Sequence, residues 1–70
     1  MASEIHYMQA RIFRMYCERN ALDAREANKV FNESGAWDFI EECYDSLHLE
    51  GDELVYEDVL AVVGNREAAQ

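Results

Sequence analysis

The chain has no proline and only three glycines among its 70 residues. Residues that break helices are therefore scarce, whereas Ala, Glu and Arg, which favour helices, are frequent. Long apolar runs are missing as well. No segment approaches the ~18 consecutive apolar residues that a membrane-spanning helix needs, and the first seven residues are too polar for a signal peptide. These absences predict a helical protein without a membrane segment, which we expect in the cytoplasm.

Cysteine is also scarce, since only Cys17 and Cys43 are present. Both occupy apolar positions of predicted helices, and the cytosol keeps such thiols reduced. We expect two buried free thiols, although the sequence alone leaves a disulfide or a thiol-based redox role open. The other soft ligands are His6 and His48. Because these four residues form none of the close pairs that zinc sites use, we expect no metal and no cofactor.

Basic residues are almost absent from the second half of the chain. Residues 1–30 carry five basic and four acidic side chains, a net charge of +1, whereas residues 31–70 carry eleven acids against Arg66, a net charge of −10. Ten of these acids fall between Glu33 and Asp58 without one lysine or arginine among them. Such a surface attracts a basic partner and is repelled by nucleic-acid phosphates and anionic lipid. We therefore expect a protein partner, no nucleic acid and no membrane.

Size and apolar content point to one small domain. Half of the residues are apolar, which is enough for a core despite the charge, but a domain of this size is marginally stable unless it is stapled or oligomerises. We predict an all-α fold class, a single-domain bundle of about four short helices over residues 1–64 with a frayed tail at 65–70. The first helix, capped by Ser3 and running to about Asn20, is apolar over nearly half its circumference, so we expect it to be central.

Local signals predict where the other helices begin and end. Asp23 caps the second helix, which stops at Gly35, a residue type that suits the left-handed position after a helix end. The third helix is predicted over residues 36–47, and a loop over 48–54 follows. The last helix begins near Val55, or a two-residue strand forms at 54–56, and Gly64 ends the helix. Its inward residues are predicted to be Val59, Leu60, Val62 and Val63.

The third helix is predicted to be apolar on one side and acidic on the other. At ~100° per residue its four acids share one arc: Asp38, Glu41, Glu42 and Asp45. The ordinary interpretation is a solvated face that keeps a small protein soluble, and the functional one is a docking surface that steers a basic partner. The predicted partner-binding surface continues into the next segment with His48, Glu50, Asp52, Glu53 and Tyr56.

Three of these features have particular interpretations. Tyr7 and Tyr56 are expected to be exposed at the edge of the charged surface, as interface tyrosines often are. His48 can also be explained as a C-terminal cap of the third helix. No serine or cysteine has an evident base and orienting group, and so small a bundle leaves little volume for a substrate pocket. We therefore expect a protein that is not an enzyme.

A pattern in the second half of the chain resembles a known protein family. The pattern is Phe39-Ile40-x-x-x-Tyr44-x-x-Leu47-His48-x-x-Gly51-x-Glu53, followed by Val55-x-x-Asp58-Val59. It is similar to a family of bacterial proteins of unknown function, about 70 residues long, with a Tyr-x-x-Leu-His motif. These are often encoded beside an ADP-ribosyltransferase-like toxin domain, which implies a small binding or neutralising protein. A threonine often follows the Leu-His pair in that family, whereas Leu49 stands there in this chain.

Two hypotheses of function follow. The first is a non-enzymatic protein–protein interaction module that binds a basic, toxin-like or regulatory partner through the acidic helix face. The alternative is a structural homodimer, in which the apolar surface of the first helix completes the core across a two-fold axis and the acidic face is only solvated. Mimicry of DNA phosphates by the carboxylates is a further idea, but one short helix offers little length for it.

Overall fold

Five helices make up the computed structural model, which describes residues 2–68 and the side chains of residues 3–64. They are α1 (Ala2–Asn20), α2 (Ala24–Ser34), α3 (Ala36–Glu42), α4 (Tyr44–Leu47) and α5 (Asp52–Ala68). The described part of the chain contains no strand. The predicted all-α bundle is therefore confirmed, and none of the described helices is both long and apolar enough to span a bilayer.

The apolar core lies between the four longer helices. Each of α1, α2, α3 and α5 contacts the other three. α1 therefore has several neighbours, as expected, but it is no more central than the other three helices. α1 contributes Met8, Ile12 and Tyr16 to the core, while α2 contributes Phe31 and α3 contributes Ile40. The buried residues of α4 and α5 are Leu47, Val55, Tyr56, Val59 and Val63. Their removal from water is the main stabilising contribution to the fold.

An aromatic cluster joins α1, α2 and α3 around Phe31, whose side chain is completely buried. The ring centroids of Phe13, Tyr16 and Trp37 lie 5.3, 5.2 and 4.9 Å from that of Phe31. Phe13 also stacks on Trp37 at 5.1 Å, and the indole Nε1–H donates to Asn28 Oδ1 at 3.1 Å. Offset and edge-on pairs at such distances add to the stabilisation from burial, which makes Phe31 the centre of the tertiary packing.

The bounds of α2 follow the local signals in the sequence. The carboxylate of Asp23 accepts a hydrogen bond from the backbone amide of Glu26 at 2.9 Å, and Gly35 adopts a left-handed conformation with φ of 81° while its amide donates to the Phe31 carbonyl. Both caps predicted for α2 are confirmed, whereas the cap predicted at Ser3 is wrong, because α1 already begins at Ala2. α1 ends similarly, except that the left-handed residue is Ala21, with φ of 53°. The amide of Leu22 then donates to the Cys17 carbonyl at 3.0 Å, as in the usual helix-ending motif.

Alanine substitutions at two glycines are expected to change stability in opposite directions. A Cβ atom at Gly35 or at Gly64 would meet nothing within 4 Å, so backbone conformation alone determines each effect. Gly35→Ala should lower the free energy of unfolding by ~1–2 kcal/mol, because L-residues are strained at positive φ. Gly64→Ala lies within α5 and should raise it by ~0.5–1 kcal/mol. Urea unfolding of both variants measures the difference, and a change of the same sign in both would contradict the explanation.

The predicted third helix is divided by a bend at Cys43. The backbone there has φ of −101° and ψ of 10°, outside the helical region, and this residue separates α3 from α4. Beyond the bend Leu47 is buried in the core, while the Tyr44 hydroxyl donates to a carboxylate oxygen of Glu4 on α1 at 3.3 Å. The prediction of one continuous helix over 36–47 is therefore wrong, because contacts with the rest of the fold outweigh local helix continuity.

The last helix is longer than predicted at both ends. It begins at Asp52, where the Gly51 carbonyl accepts from the amides of Leu54 and Val55 at 3.1 Å, so the expected loop is shorter and the strand at 54–56 does not form. Two carboxylates in its first turn favour this earlier start. α5 continues through Gly64 to residue 68, which overrides the weak helix-ending tendency of glycine. Of the tail predicted at 65–70, residues 69 and 70 lie outside the described residues.

Candidate functional site

The four acids of the predicted docking surface are all exposed. Asp38, Glu41 and Glu42 belong to α3 and Asp45 belongs to α4, so the surface, here called the acidic face, spans the bend at Cys43 instead of one straight helix. No ion pair joins these carboxylates to a described side chain. The acidic face therefore carries negative charge that the described part of the fold does not compensate.

The acids at the start of α5 are in a different situation, because cations of α1 pair with them. Arg11 Nε lies 3.2 Å from a carboxylate oxygen of Asp52. The guanidinium of Arg19 makes two hydrogen bonds to the carboxylate of Glu53, of which the Nη1–Oε1 bond measures 2.9 Å. Both predicted site residues remain accessible, but their charges are compensated within the chain. The sequence offered no local signal for this, since the paired residues are 34 and 41 positions apart.

Tyr56 is not an exposed tyrosine, and that part of the prediction is wrong. Only 5% of its surface is exposed, because its position on α5 faces the core. The Arg19 guanidinium lies over its ring at 4.8 Å from the centroid, and its hydroxyl accepts a hydrogen bond from Asn20 Nδ2 at 3.3 Å. Through these contacts Tyr56 packs α5 against α1. Tyr7, in contrast, is 68% exposed, as expected.

His48 caps α4. Its backbone amide donates to the Tyr44 carbonyl, and its Nδ1 lies 3.0 Å from the same oxygen. The imidazole also stacks on the Tyr44 ring, with centroids 5.2 Å apart and planes 14° from parallel. Burial raises the pKa of the Tyr44 hydroxyl, and the neighbouring charge of Glu4 raises it further. The ordinary interpretation of His48 as a cap is thus confirmed, although its ring is exposed beside the acidic face.

The ion pair between Arg19 and Glu53 connects stability to pH. Its hydrogen bonds raise the pKa of Arg19 and lower that of Glu53 from the ordinary value of 4.5. A carboxyl whose pKa is lower in the folded state stabilises the fold above the unfolded-state pKa, and this contribution is lost as the pH falls through the folded-state pKa. The effect is modest, because both side chains face solvent.

Glu50 and Asp58 form a carboxyl pair with the opposite effect. A hydrogen bond that the protonated Glu50 donates to the Asp58 carboxylate raises the pKa of Glu50, with burial and the charge of Asp58 as further causes. A carboxyl with a raised folded-state pKa is favourable when protonated, and that contribution is lost as the pH rises through the folded-state pKa. At neutral pH the two negative charges therefore oppose folding.

Removing one charge of this pair is expected to stabilise the protein at neutral pH. Glu50→Gln should raise the melting temperature near pH 7 and lose that advantage below about pH 4, where carboxyl groups become protonated. Melting curves followed by circular dichroism across this range measure the effect. Glu57→Gln, which removes one exposed charge from the same part of the chain, is the control. An equal gain in the control would show that only net charge matters.

The remaining candidate groups show no organised chemistry in the described part of the chain. Cys17 and Cys43 are free thiols, as expected. Each side chain is only partly buried, whereas full burial was predicted. Among residues 3–64 no cluster of His, Cys, Asp and Glu is arranged to hold a metal ion, and the described residues enclose no pocket.

The family comparison covers most of the chain, including every predicted site residue. Residues 8–66 match the model of a family described as "Protein of unknown function (DUF3791)". The chain belongs to this family. Comparisons with curated proteins and with solved structures find no match. The DUF3791 description assigns no activity to its members.

Exposed leucines are the surface feature that sequence reasoning missed in this DUF3791 protein. Leu49, Leu54 and Leu60 are 80, 55 and 39% exposed. The prediction that Leu60 packs inward is wrong, because α5 turns this residue away from the valines that enter the core. A signal was available, since apolar residues occur on all sides of α5 and not on one stripe.

Proposed function

We propose that this protein is a non-enzymatic protein–protein interaction module that binds a basic protein partner through the acidic face. The observation that carries the proposal is the contrast between two groups of acids. Asp52 and Glu53 are paired with arginines of α1, whereas no ion pair joins the acidic face to a described cation. A cluster of uncompensated carboxylates attracts a basic protein over several ångströms and raises its rate of association.

The edge of the binding surface is formed by the segment that follows α4. His48 and Glu50 are exposed there, next in the chain to Asp45 and the acidic face. Asp52 and Glu53 contribute less, because a partner's cation would have to compete with Arg11 and Arg19 for them. Tyr56 is left out of the proposed surface, since it is buried.

The sharper form of the proposal names the kind of partner. The Tyr-x-x-Leu-His motif and the resemblance to short bacterial proteins encoded beside an ADP-ribosyltransferase-like domain support a cytoplasmic protein that binds and neutralises a toxin-like protein. Such a function needs only a rigid, charged surface, which a bundle of this size can supply.

Capture from a lysate of the source cell tests the proposal. The tagged protein and a variant with Lys at the four positions of the acidic face would be incubated with lysate at low salt, and bound proteins identified by mass spectrometry. We expect a basic protein that is held by the wild type and lost by the variant. Circular dichroism checks that the variant is folded, and a basic protein held equally by both would refute a role for the acidic face.

The structural homodimer remains the alternative proposal, on a weaker basis. Its motivation was the broad apolar surface of α1, but Met8, Ile12 and Tyr16 are buried in the core of the same chain, with Phe13 and Met15 packed against that core. Light scattering at micromolar concentration distinguishes the two. A monomer of 8.1 kDa would exclude the homodimer and leave the interaction module unaffected.

A further inference from the structure

The solvent-facing side of α5 is unusually apolar for a helix at the surface. Val55, Val59 and Val63 face the core. The opposite side exposes Leu54, Glu57, Leu60 and Ala61, which we call the outer face of α5. Glu53 is exposed on the same side, and Arg19 compensates its charge. At ~100° per residue, Leu54 and Ala61 lie together on one flank, Leu60 lies on the other, and Glu57 lies between them. A helix with apolar residues on all sides is usually covered on all sides. α1, α2 and α3 contact α5, but no described part of the chain covers its outer face.

The charge of this face selects among the possible occupants. Glu57 is exposed and makes no ion pair with a described side chain. The next residue in the chain, Asp58, lies near enough to Glu50 to raise the pKa of the Glu50 carboxyl group. A second copy of the chain docked about a two-fold axis would place Glu57 near its own symmetry mate, and like charges that meet in an interface are costly. An incoming cation, in contrast, would relieve the repulsion between Glu50 and Asp58.

We infer that the outer face of α5 is a docking surface for a basic amphipathic helix of a partner protein. Its apolar side chains would cover Leu54 and Leu60, and a lysine or arginine between them would reach Glu57. Helices packed at the usual distance of ~8–10 Å bring such side chains together, and an amphipathic helix laid on an apolar surface is a common mode of recognition. This surface is separate from the acidic face, and the inference goes beyond the function proposed above.

A synthetic peptide provides a defined probe for the test. Isotope-labelled full-length protein would be titrated with a leucine–lysine peptide of helical periodicity and ~14 residues, since isolated helices need roughly 12–15 residues to form. We expect the largest shifts of amide NMR signals at the outer face of α5. Leu54→Ser combined with Leu60→Ser should weaken binding at least ~10-fold, because two exposed leucines would no longer be buried on association. A peptide with its leucines replaced by serine should not bind measurably.

Two matched variants separate this inference from the proposed function. The first variant, Leu49→Ser, removes an exposed leucine outside α5. The second combines Glu41→Lys with Asp45→Lys on the acidic face. Both should bind the peptide with an affinity within about twofold of the wild type. Loss of binding in the second variant alone would place the peptide on the acidic face, overturning the inference while supporting the proposed function. Equal binding of the serine-substituted peptide, unchanged binding by the Leu54 and Leu60 variant, or no binding at millimolar peptide would also overturn it.

Discussion

Replacing Phe31 with alanine is expected to remove about 3–5 kcal/mol from the free energy of unfolding. Its side chain is completely buried and lies about 5 Å, centroid to centroid, from three other aromatic rings. The truncation would therefore leave a cavity where three helices meet. A domain of this size has roughly 4–10 kcal/mol of stability in total, so the loss would be about half of it. Urea unfolding monitored by circular dichroism measures the change directly.

Tyr7→Ala is the matched control for the substitution of Phe31. It also removes an aromatic ring from a helix, but from a side chain that is 68% exposed. We expect its stability to stay within about 0.5 kcal/mol of the wild type. If both variants lost similar amounts, the aromatic cluster would not be the centre of the fold.

Reversing the charge of the acidic face is expected to slow association with the captured basic partner by ~10- to 1000-fold. The substitutions are Asp38→Lys, Glu41→Lys, Glu42→Lys and Asp45→Lys. The dissociation rate should change less, because exposed charges act mainly while the partners approach each other. Stopped-flow or surface-based kinetics would measure both rates. Since the Debye length shrinks from ~10 Å at 0.1 M salt to ~3 Å at 1 M, the wild-type association rate should fall with salt while that of the variant does not.

A pair of double variants tests whether position or net charge causes this effect. Glu41→Lys with Asp45→Lys changes the acidic face, whereas Glu18→Lys with Glu26→Lys makes the same change of net charge on α1 and α2, where both side chains are exposed. Only the first pair should slow association strongly. Equal slowing by both pairs would mean that the partner responds to the total charge of the protein, and the acidic face would lose its special role.

Much of the local structure could be predicted from individual residues. Asp23 and Gly35 mark the two ends of α2 correctly, because a cap depends on the side chain or conformational freedom of one residue. The end of α1 near Asn20 was predicted, but the left-handed conformation of Ala21 was not, since alanine carries no such signal and the fold imposes this conformation. The bend at Cys43 was missed for the same reason, because it depends on contacts that Leu47 and Tyr44 make with distant parts of the chain.

The candidate surface was predicted less completely than the helices. The exposure of Asp38, Glu41, Glu42 and Asp45 follows from helical periodicity, which is a local property. Tyr56 was assigned to the surface because it lies next to acids in the sequence, but its side of α5 packs against α1. The outer face of α5 escaped notice because an apolar residue in a helix is usually assumed to be buried.

What the sequence by itself determined is the helical nature of the chain and the excess of acids in its second half. These features depend only on composition and on residues close together in the chain. They are the absence of proline, the caps of α2, and the ten acids between Glu33 and Asp58. Only the tertiary structure decided which of those acids keep their charge uncompensated. Arg11 and Arg19 reach Asp52 and Glu53 because α1 and α5 pack together, and electrostatic compensation depends on distance in space, not on separation along the chain.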